Sequence, residues 1–393
     1  MSCNLSHLAP FQKSRDDRIE TIQNVITLLS ATQYLSISHQ NTCETILPSL
    51  RNSNATLRTV SPQDIEILET NGCSSDDWSI VYLLYHCKGE ITSSVSEASI
   101  KKAIKAQIRN CTLSGRIILG LDIRKSTMEK HSNTKSILKP GIHSNIMISN
   151  SIIEPGAKVF NNAVISDAFI GSNATVLNCG SITYESSSKY GAFTDTMTIN
   201  VGPEAGGGRP VKVNPESTLV EVCSSLSMSI PTTSISAPSP MPMRTINDTN
   251  VNIICGNILH TSCANNIYLS QNATIQSSSS VQNAILLPQS SIQNSIVDSV
   301  FLQWNSGIVN NSNVSCTLLM ECSEIGPNSV VASTILGPDS HVSCGEVHYS
   351  VIGPNTNSHH QSLLISALWP TGRGNVGYGS NIGSNHTGRI PDQ

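Results

Sequence analysis

His359 and His360 stand side by side near the end of the chain. A neutral imidazole, with an ordinary pKa of about 6.5, can take up a proton near pH 7 and serve as a general base. Adjacent residues on a strand face opposite sides, so only one of the two is expected in any one cleft. The bland alternative is a structural pair at the end of a repeat. A second cluster is Asn385, His386, Thr387 and Arg389, set in a glycine-rich stretch where bare backbone lets a ligand approach. An ordinary surface loop is its alternative. A third is Arg209, which follows Gly206, Gly207 and Gly208, with Glu204 and Lys212 close by. A guanidinium beside a nest of N–H groups suits a phosphate or carboxylate. Its alternative is a hairpin turn with solvated charges. His359 and His360 are thus the catalytic candidates. Arg209, Lys212, Asn385, His386 and Arg389 are the substrate-binding ones, and no residue is assigned to a metal.

The elements that must position these groups are written as a six-residue beat. Ile153, Val159 and Ile165 are six apart, and so are Ile170, Val176 and Ile182. Small residues follow four positions on, at Ala157, Ala163, Ala174 and Gly180. The beat returns at Ile325 and Val331, then at Leu336 and Val342. A fixed short period marks a solenoid, read here as a parallel β-helix of hexapeptides. The step drops to five between Ile165 and Ile170, which suits corners of slightly different length. All six of the first residues are expected inside the coil.

Composition agrees with a narrow solenoid. Charged residues are 13% and aromatic residues 4% of the 393, against about 25% charged in an ordinary domain. Such an interior takes Ile, Val, Ala and Cys but few rings, and its corners favour Asn, Gly, Ser and Asp, which tolerate positive φ. The net charge of −4 and the lack of a long basic run argue against a nucleic-acid partner. No run approaches the roughly 20 apolar residues of a membrane span. The N-terminal MSCNLSHLAPFQKSRDDRIE has no apolar signal core, so a cytoplasmic protein is expected. The cysteines show no C-x-x-C and read as small buried hydrophobes, Cys316 and Cys322 among them.

The flanks differ in kind. Residues 1–105 read as a small N-terminal α/β region. Ile19, Ile22, Ile26 and Leu29 have helical spacing, and Ser61, Pro62 and Asp64 signal an N-cap, a first-turn proline and an acidic N3 residue, in a helix ending before Gly72. Trp78 to Cys87 is a strand or buried segment, and Ile100 to Ile108 suits either a helix or the entry to the solenoid. A first β-helix segment is placed at 106–193, a β-arm with a Gly-rich loop at 194–223, and a Ser/Pro-rich disordered insert at 224–249. A second β-helix segment follows at 250–370 and a Gly-rich loop at 371–393.

The beat, together with I-G-P-N at Ile325–Asn328, L-G-P-D at Leu336–Asp339 and I-G-P-N at Ile352–Asn355, resembles the hexapeptide-transferase superfamily. Its members form left-handed β-helices, often trimeric, and include acyltransferases acting on sugar nucleotides and amino compounds. The stretches Asp64–Trp78, Pro203–Val211, Ser358–Pro370 and Gly372–Gln393 also look like a domain-of-unknown-function family. That family is classed with the trimeric UDP-N-acetylglucosamine-acyltransferase-like proteins. Its domain continues past the position matching Gln393, so the resemblance implies that this chain stops short of the full domain.

The resemblance implies a mainly β fold, a left-handed parallel β-helix with a small N-terminal α/β domain, and a homotrimer. It implies a transferase moving an acyl group to a sugar-nucleotide or amine-type acceptor, with His359 or His360 as base. The partner would be a small anionic molecule such as a sugar nucleotide, and an acyl-CoA would fit as donor. The other reading stays open: a non-catalytic ligand-binding or scaffold β-helix. His341 and His348 do not form the H-x-x-x-x-H pair of zinc-binding β-helices. The first 105 residues are too short, and lack the Gly-rich loop, for a nucleotide pyrophosphorylase. Convergence of a histidine, the arm and the C-terminal loop on one cleft would separate a small-molecule site from a scaffold.

Overall fold

In the computed structural model, residues 55–86, 95–123, 138–184, 196–203, 208–228 and 251–383 are described. The helix expected around Ile19–Leu29, most of the Ser/Pro-rich insert, and Asn385, His386 and Arg389 lie outside them. Among the described residues the chain is mainly β, with few helices and about 12 solenoid turns. It divides into two compact units, Met1–Asn178 and Cys179–Gln393. No described helix is long and apolar enough to cross a membrane.

In the first unit, strand Ala55–Thr59 runs antiparallel to Val81–His86. Between them lies the helix Pro62–Thr70, opened by a capping box. Ser61 Oγ accepts from Asp64 N at 3.3 Å, and Asp64 Oδ2 accepts from Ser61 N at 2.8 Å. The helix ends at Asn71, and Gly72 takes φ +79° just beyond it, the left-handed position that suits glycine. The ambiguous stretch at Ile100 is a helix, Glu97–Gln107, capped by Ser96. The solenoid sheets reach further back than the expected start at 106. Ser74–Ser75 pairs in parallel with Thr112–Leu113, and Val81–Tyr85 with Ile117–Leu121. Three coils follow, with Ile142, Val159 and Val176 in register on one face. Every member of the opening beat is at most 1% exposed: Ile153, Val159, Ile165, Ile170 and Val176 in this unit and Ile182 in the second. Each buried side chain of this kind stabilises the coil by roughly 1.5–3 kcal/mol.

In the second unit most coils repeat every 16 or 17 residues, shorter than three full hexads, while the last, from Thr356 to Gly374, repeats at a full 18. The corners explain the shortening. Each coil turns on residues in the left-handed region, for example Asn272, Gln289, Asn305, Cys322, Asp339 and Asn355 down one edge. Asn and Asp enter that region at least cost among side-chain-bearing residues. A buried serine or threonine follows many of these turns, as at Ser290, Ser306, Ser323, Ser340 and Thr356. Ser290 Oγ donates to the Leu287 carbonyl at 2.6 Å, Ser306 to Gln303 at 2.7 Å and Ser323 to Met320 at 2.6 Å. The Asn/Ser-rich composition is therefore corner chemistry: one residue supplies the turn and the other satisfies a buried carbonyl.

One face of this unit is apolar on both sides. Alternation along the strands sends Leu286, Leu302, Leu319 and Leu336 inward and Ile285, Phe301, Leu318 and Ile335 outward. The outward four are nonetheless at most 1% exposed. Their cover includes the hairpin of strands Met197–Val201 and Arg209–Val213, with the helix Leu219–Met228 against its second strand. Gln303 Nε2 donates to the Ser217 carbonyl at 2.8 Å, and Cys316 Sγ lies 3.7 Å from the Thr198 carbonyl.

Three expectations are corrected. The linker reading of 224–249 fails at its start, because Cys223–Met228 continues a helix whose apolar Val222 is buried against the arm's surroundings. The loop reading of 371–393 fails for Gly374–Val376 and Asn381–Gly383, strands that pair with Thr356–Ser358 and Leu363–Ile365. Glycines at those positions pass for a loop in sequence, but at Gly374 the bare backbone lies against the Trp369 ring, which would have to shift to admit a Cβ. Cys316 and Cys322 are not core hydrophobes. Both occupy left-handed corners, the first half-buried and the second exposed.

Candidate functional site

His359 ends the strand Thr356–His359, in register with Ser343 of the preceding coil. His360 and Gln361 then turn the corner with φ +61° and +62°. Two left-handed residues in succession swing the second imidazole back beside the first. The rings meet edge-on, with centroids 4.3 Å apart and planes at 71°. The expected opposition of the two side chains is therefore corrected: the strand ends at His359, so strand alternation does not reach His360.

The half-buried His359 is oriented from the next coil. Its Nε2 lies 2.6 Å from Asn375 Oδ1. Asn375 sits on the strand Gly374–Val376, paired with Asn357. With Nε2–H donating to that amide oxygen, Nδ1 carries the lone pair and is the proton-accepting atom. Gly379 N–H donates to the His360 carbonyl at 3.1 Å, which closes the following loop against the same corner. The arrangement is an oriented imidazole on a rigid coil, able to take a proton from a group presented at the surface.

Arg209 and Lys212 are elsewhere. Arg209 pairs with Val201 and Lys212 with Thr198 in the arm hairpin. Lys212 is exposed and Arg209 half-buried. The Arg209 Nη1 lies 3.2 Å from the place a Cβ on Gly202 would take, so the guanidinium lies over the hairpin's own backbone. Gly202 N–H donates to the Tyr349 carbonyl at 2.7 Å. Tyr349 lies at the corner that separates strand Glu346–His348 from Val351–Ile352. The histidines lie at the previous corner of the next coil, before Leu363–Ile365. No hydrogen bond, ion pair or ring contact joins Arg209 or Lys212 to His359 or His360 among the described residues. The arm and the histidine pair do not meet on one corner.

His348 and His341 each lie beside a carboxylate of their own strand or corner. His348 Nε2 lies 2.9 Å from Glu346 Oε1, and His341 Nε2 lies 3.9 Å from Asp339 Oδ1. Among the described residues no three His, Cys, Asp or Glu gather as metal ligands. Asn375 is the residue that sequence reasoning missed. Its signal is confined to register, which the unequal coil lengths hide.

No protein family matches the chain, and no curated protein matches it either. The coils are compatible with a hexapeptide-repeat β-helix.

Proposed function

We propose that the chain is a hexapeptide-repeat transferase that moves an acyl group onto an amine- or sugar-nucleotide-type acceptor, with His359 as general base. The observation that carries this reading is the 2.6 Å contact from His359 Nε2 to Asn375 Oδ1. It fixes the ring and leaves Nδ1 to receive a proton. In the proposed step the acceptor nitrogen or oxygen attacks the carbonyl of an acyl thioester such as an acyl-CoA. Its proton passes to His359 Nδ1, and the thiolate leaves and is protonated. His360, edge-on to His359, completes the corner. The left hand of the coil and a homotrimer belong to the same proposal, through the I-G-P-N and L-G-P-D corners.

The test is thiol release from acyl-CoA donors in the presence of amines, amino sugars and sugar nucleotides. His359→Ala should lower turnover by about 10²–10⁴-fold, the usual share of general-base catalysis. Asn375→Ala should lower it less, with circular dichroism unchanged in both. Turnover indifferent to His359 would remove the base. No thiol release with any donor would favour the second reading, a scaffold or ligand-binding solenoid. That reading is favoured by one observation: Arg209 and the histidine pair occupy different corners.

A further inference from the structure

Cys73 and Cys111 face one another in the first unit. Ser74 pairs with Thr112, and Ser74 N–H donates to the Cys111 carbonyl at 3.0 Å. The cysteines stand one residue ahead of that pair and are 5% and 2% exposed. Neighbouring strands lie about 4.8 Å apart. That is inside the roughly 4.4–6.8 Å that a disulfide spans between Cα atoms. Matched positions on parallel strands send their side chains the same way, and the Cys111 thiol donates to the Arg109 carbonyl at 3.1 Å and reaches the Ile142 carbonyl at 3.7 Å. Asn145 approaches the same sulfur from the next coil, with Nδ2 3.6 Å from Cys111 Sγ. Asn145 is itself held, because its Oδ1 accepts from Asn162 Nδ2 at 2.8 Å.

We propose that Cys73 and Cys111 are a redox-active dithiol that closes to an intramolecular disulfide on meeting a low-molecular-weight disulfide. Cys111, as thiolate, attacks one sulfur of the reagent and expels the other half as a thiolate, which takes up a proton. Cys73 then loses its proton and attacks the Cys111 sulfur of the mixed disulfide, releasing the second half as a thiol. Two protein thiols are oxidised to one disulfide, and one reagent disulfide is reduced to two thiols. The roles follow from the surroundings. The neighbouring Cys73 side chain lowers the Cys111 thiol, and Asn145 adds to it against the effect of burial. The same juxtaposition with Cys111, and then burial, push Cys73 up. The thiolate is the attacking species. The bond would tie the exit of the helix Pro62–Thr70 to the strand Thr112–Ser114, closing a loop that holds Val81–His86 and Glu97–Gln107.

The experiment incubates the full chain in graded mixtures of oxidised and reduced glutathione, followed by alkylation and peptide mass mapping. The expected product is the Cys73–Cys111 linked peptide, two hydrogens lighter than the thiols. Its formation should raise Tm by about 4–8 °C. Cys73→Ser and Cys111→Ser should each abolish both signals. Cys73→Ala and Cys111→Ala, checked by circular dichroism, stand in for them if a buried hydroxyl impairs folding. Because burial slows entry of the reagent, the series is repeated in urea below the unfolding transition. Both thiols still free at the most oxidising mixture in both series would overturn the proposal. So would Cys111 retaining glutathione while Cys73 stays a thiol, or either cysteine linking to another partner.

Discussion

Gly202 N–H lies 2.7 Å from the Tyr349 carbonyl oxygen, and through this contact the arm is fastened to a corner of the solenoid. Both residues take left-handed backbone, Gly202 at φ +61° and Tyr349 at φ +51°. The turn at Tyr349 presents its carbonyl outward, and glycine at 202 lets the hairpin backbone come close enough to use it. The contact places the arm beside Leu368, which continues the outward stripe from Ile335 through Val351 and is its most exposed rung.

Gly202→Val should therefore loosen the arm. A β-branched residue at this φ costs about 1–3 kcal/mol, and its Cβ would crowd Arg209 Nη1. Hydrogen exchange should quicken at Met197–Val201 and Arg209–Val213 while the interior Ile and Val ladders keep their protection. Unchanged exchange in the hairpin would mean that the Tyr349 contact does not hold it.

Phe301→Ala tests the cover from the solenoid's side. On a bare face an outward residue is worth little, but Phe301 is 1% exposed. Its removal should cost about 3–5 kcal/mol, the usual range for a buried Phe→Ala. Urea denaturation gives the number directly. A loss under about 1 kcal/mol, the range of ordinary surface substitutions, would show that the stripe is open in solution.

The interior of this fold is legible in sequence because each inward position demands an aliphatic residue at a nearly fixed spacing. Ile153, Val159 and Ile165 announce themselves for that reason. The capping box at Ser61 and Asp64 is equally plain, since it is chemistry within one turn of helix. Relationships across coils are harder. His359 and Asn375 are 16 apart and Asn145 and Asn162 are 17 apart. No single period aligns both, so a partner one coil away cannot be counted off. The outward stripe of Ile285, Phe301 and Leu318 is also hidden, because an outward apolar residue beside an inward leucine reads as one undivided core strand. The strands at Gly374 and Asn381 are masked by glycines that serve close approach rather than flexibility.

Glu154 and Asp64 predict opposite pH dependences within the first unit. Burial pushes the Glu154 carboxyl up, although Ser172 N–H donates to Oε2 at 2.9 Å and partly opposes it. A raised folded-state pKa contributes stability that is fully present below the unfolded value, about 4.3 for Glu. That contribution is lost as pH rises through the folded value. Glu154→Gln should thus gain on the wild type as pH increases from about 4.3 and level off above the folded pKa. A difference independent of pH would mean that Glu154 is not buried in charged form.

Asp64 has the reverse sign. Burial alone would raise its carboxyl, but the Arg58 hydrogen bond and those from Ser61 outweigh it and hold the group below its ordinary range. Its Oδ2 receives Arg58 Nη1 at 2.7 Å and Ser61 Oγ at 2.6 Å. A lowered folded-state pKa gives stability that is present above the unfolded value, about 3.9 for Asp. It is lost as pH falls through the folded one. Asp64→Asn should cost about 1–3 kcal/mol at pH 7. That is below the 3–5 kcal/mol of a fully buried broken pair, because the Arg58 side chain is 23% exposed and water screens it. The difference from wild type should shrink steadily as pH falls below about 3.9 and vanish below the folded value, where both chains carry a neutral group at position 64. Chemical denaturation of both proteins from about pH 2.5 to about pH 7, a range that brackets the ordinary Asp value of about 3.9, measures it. A gap that persists at the acid end would assign the loss to capping geometry rather than to the charge on Asp64.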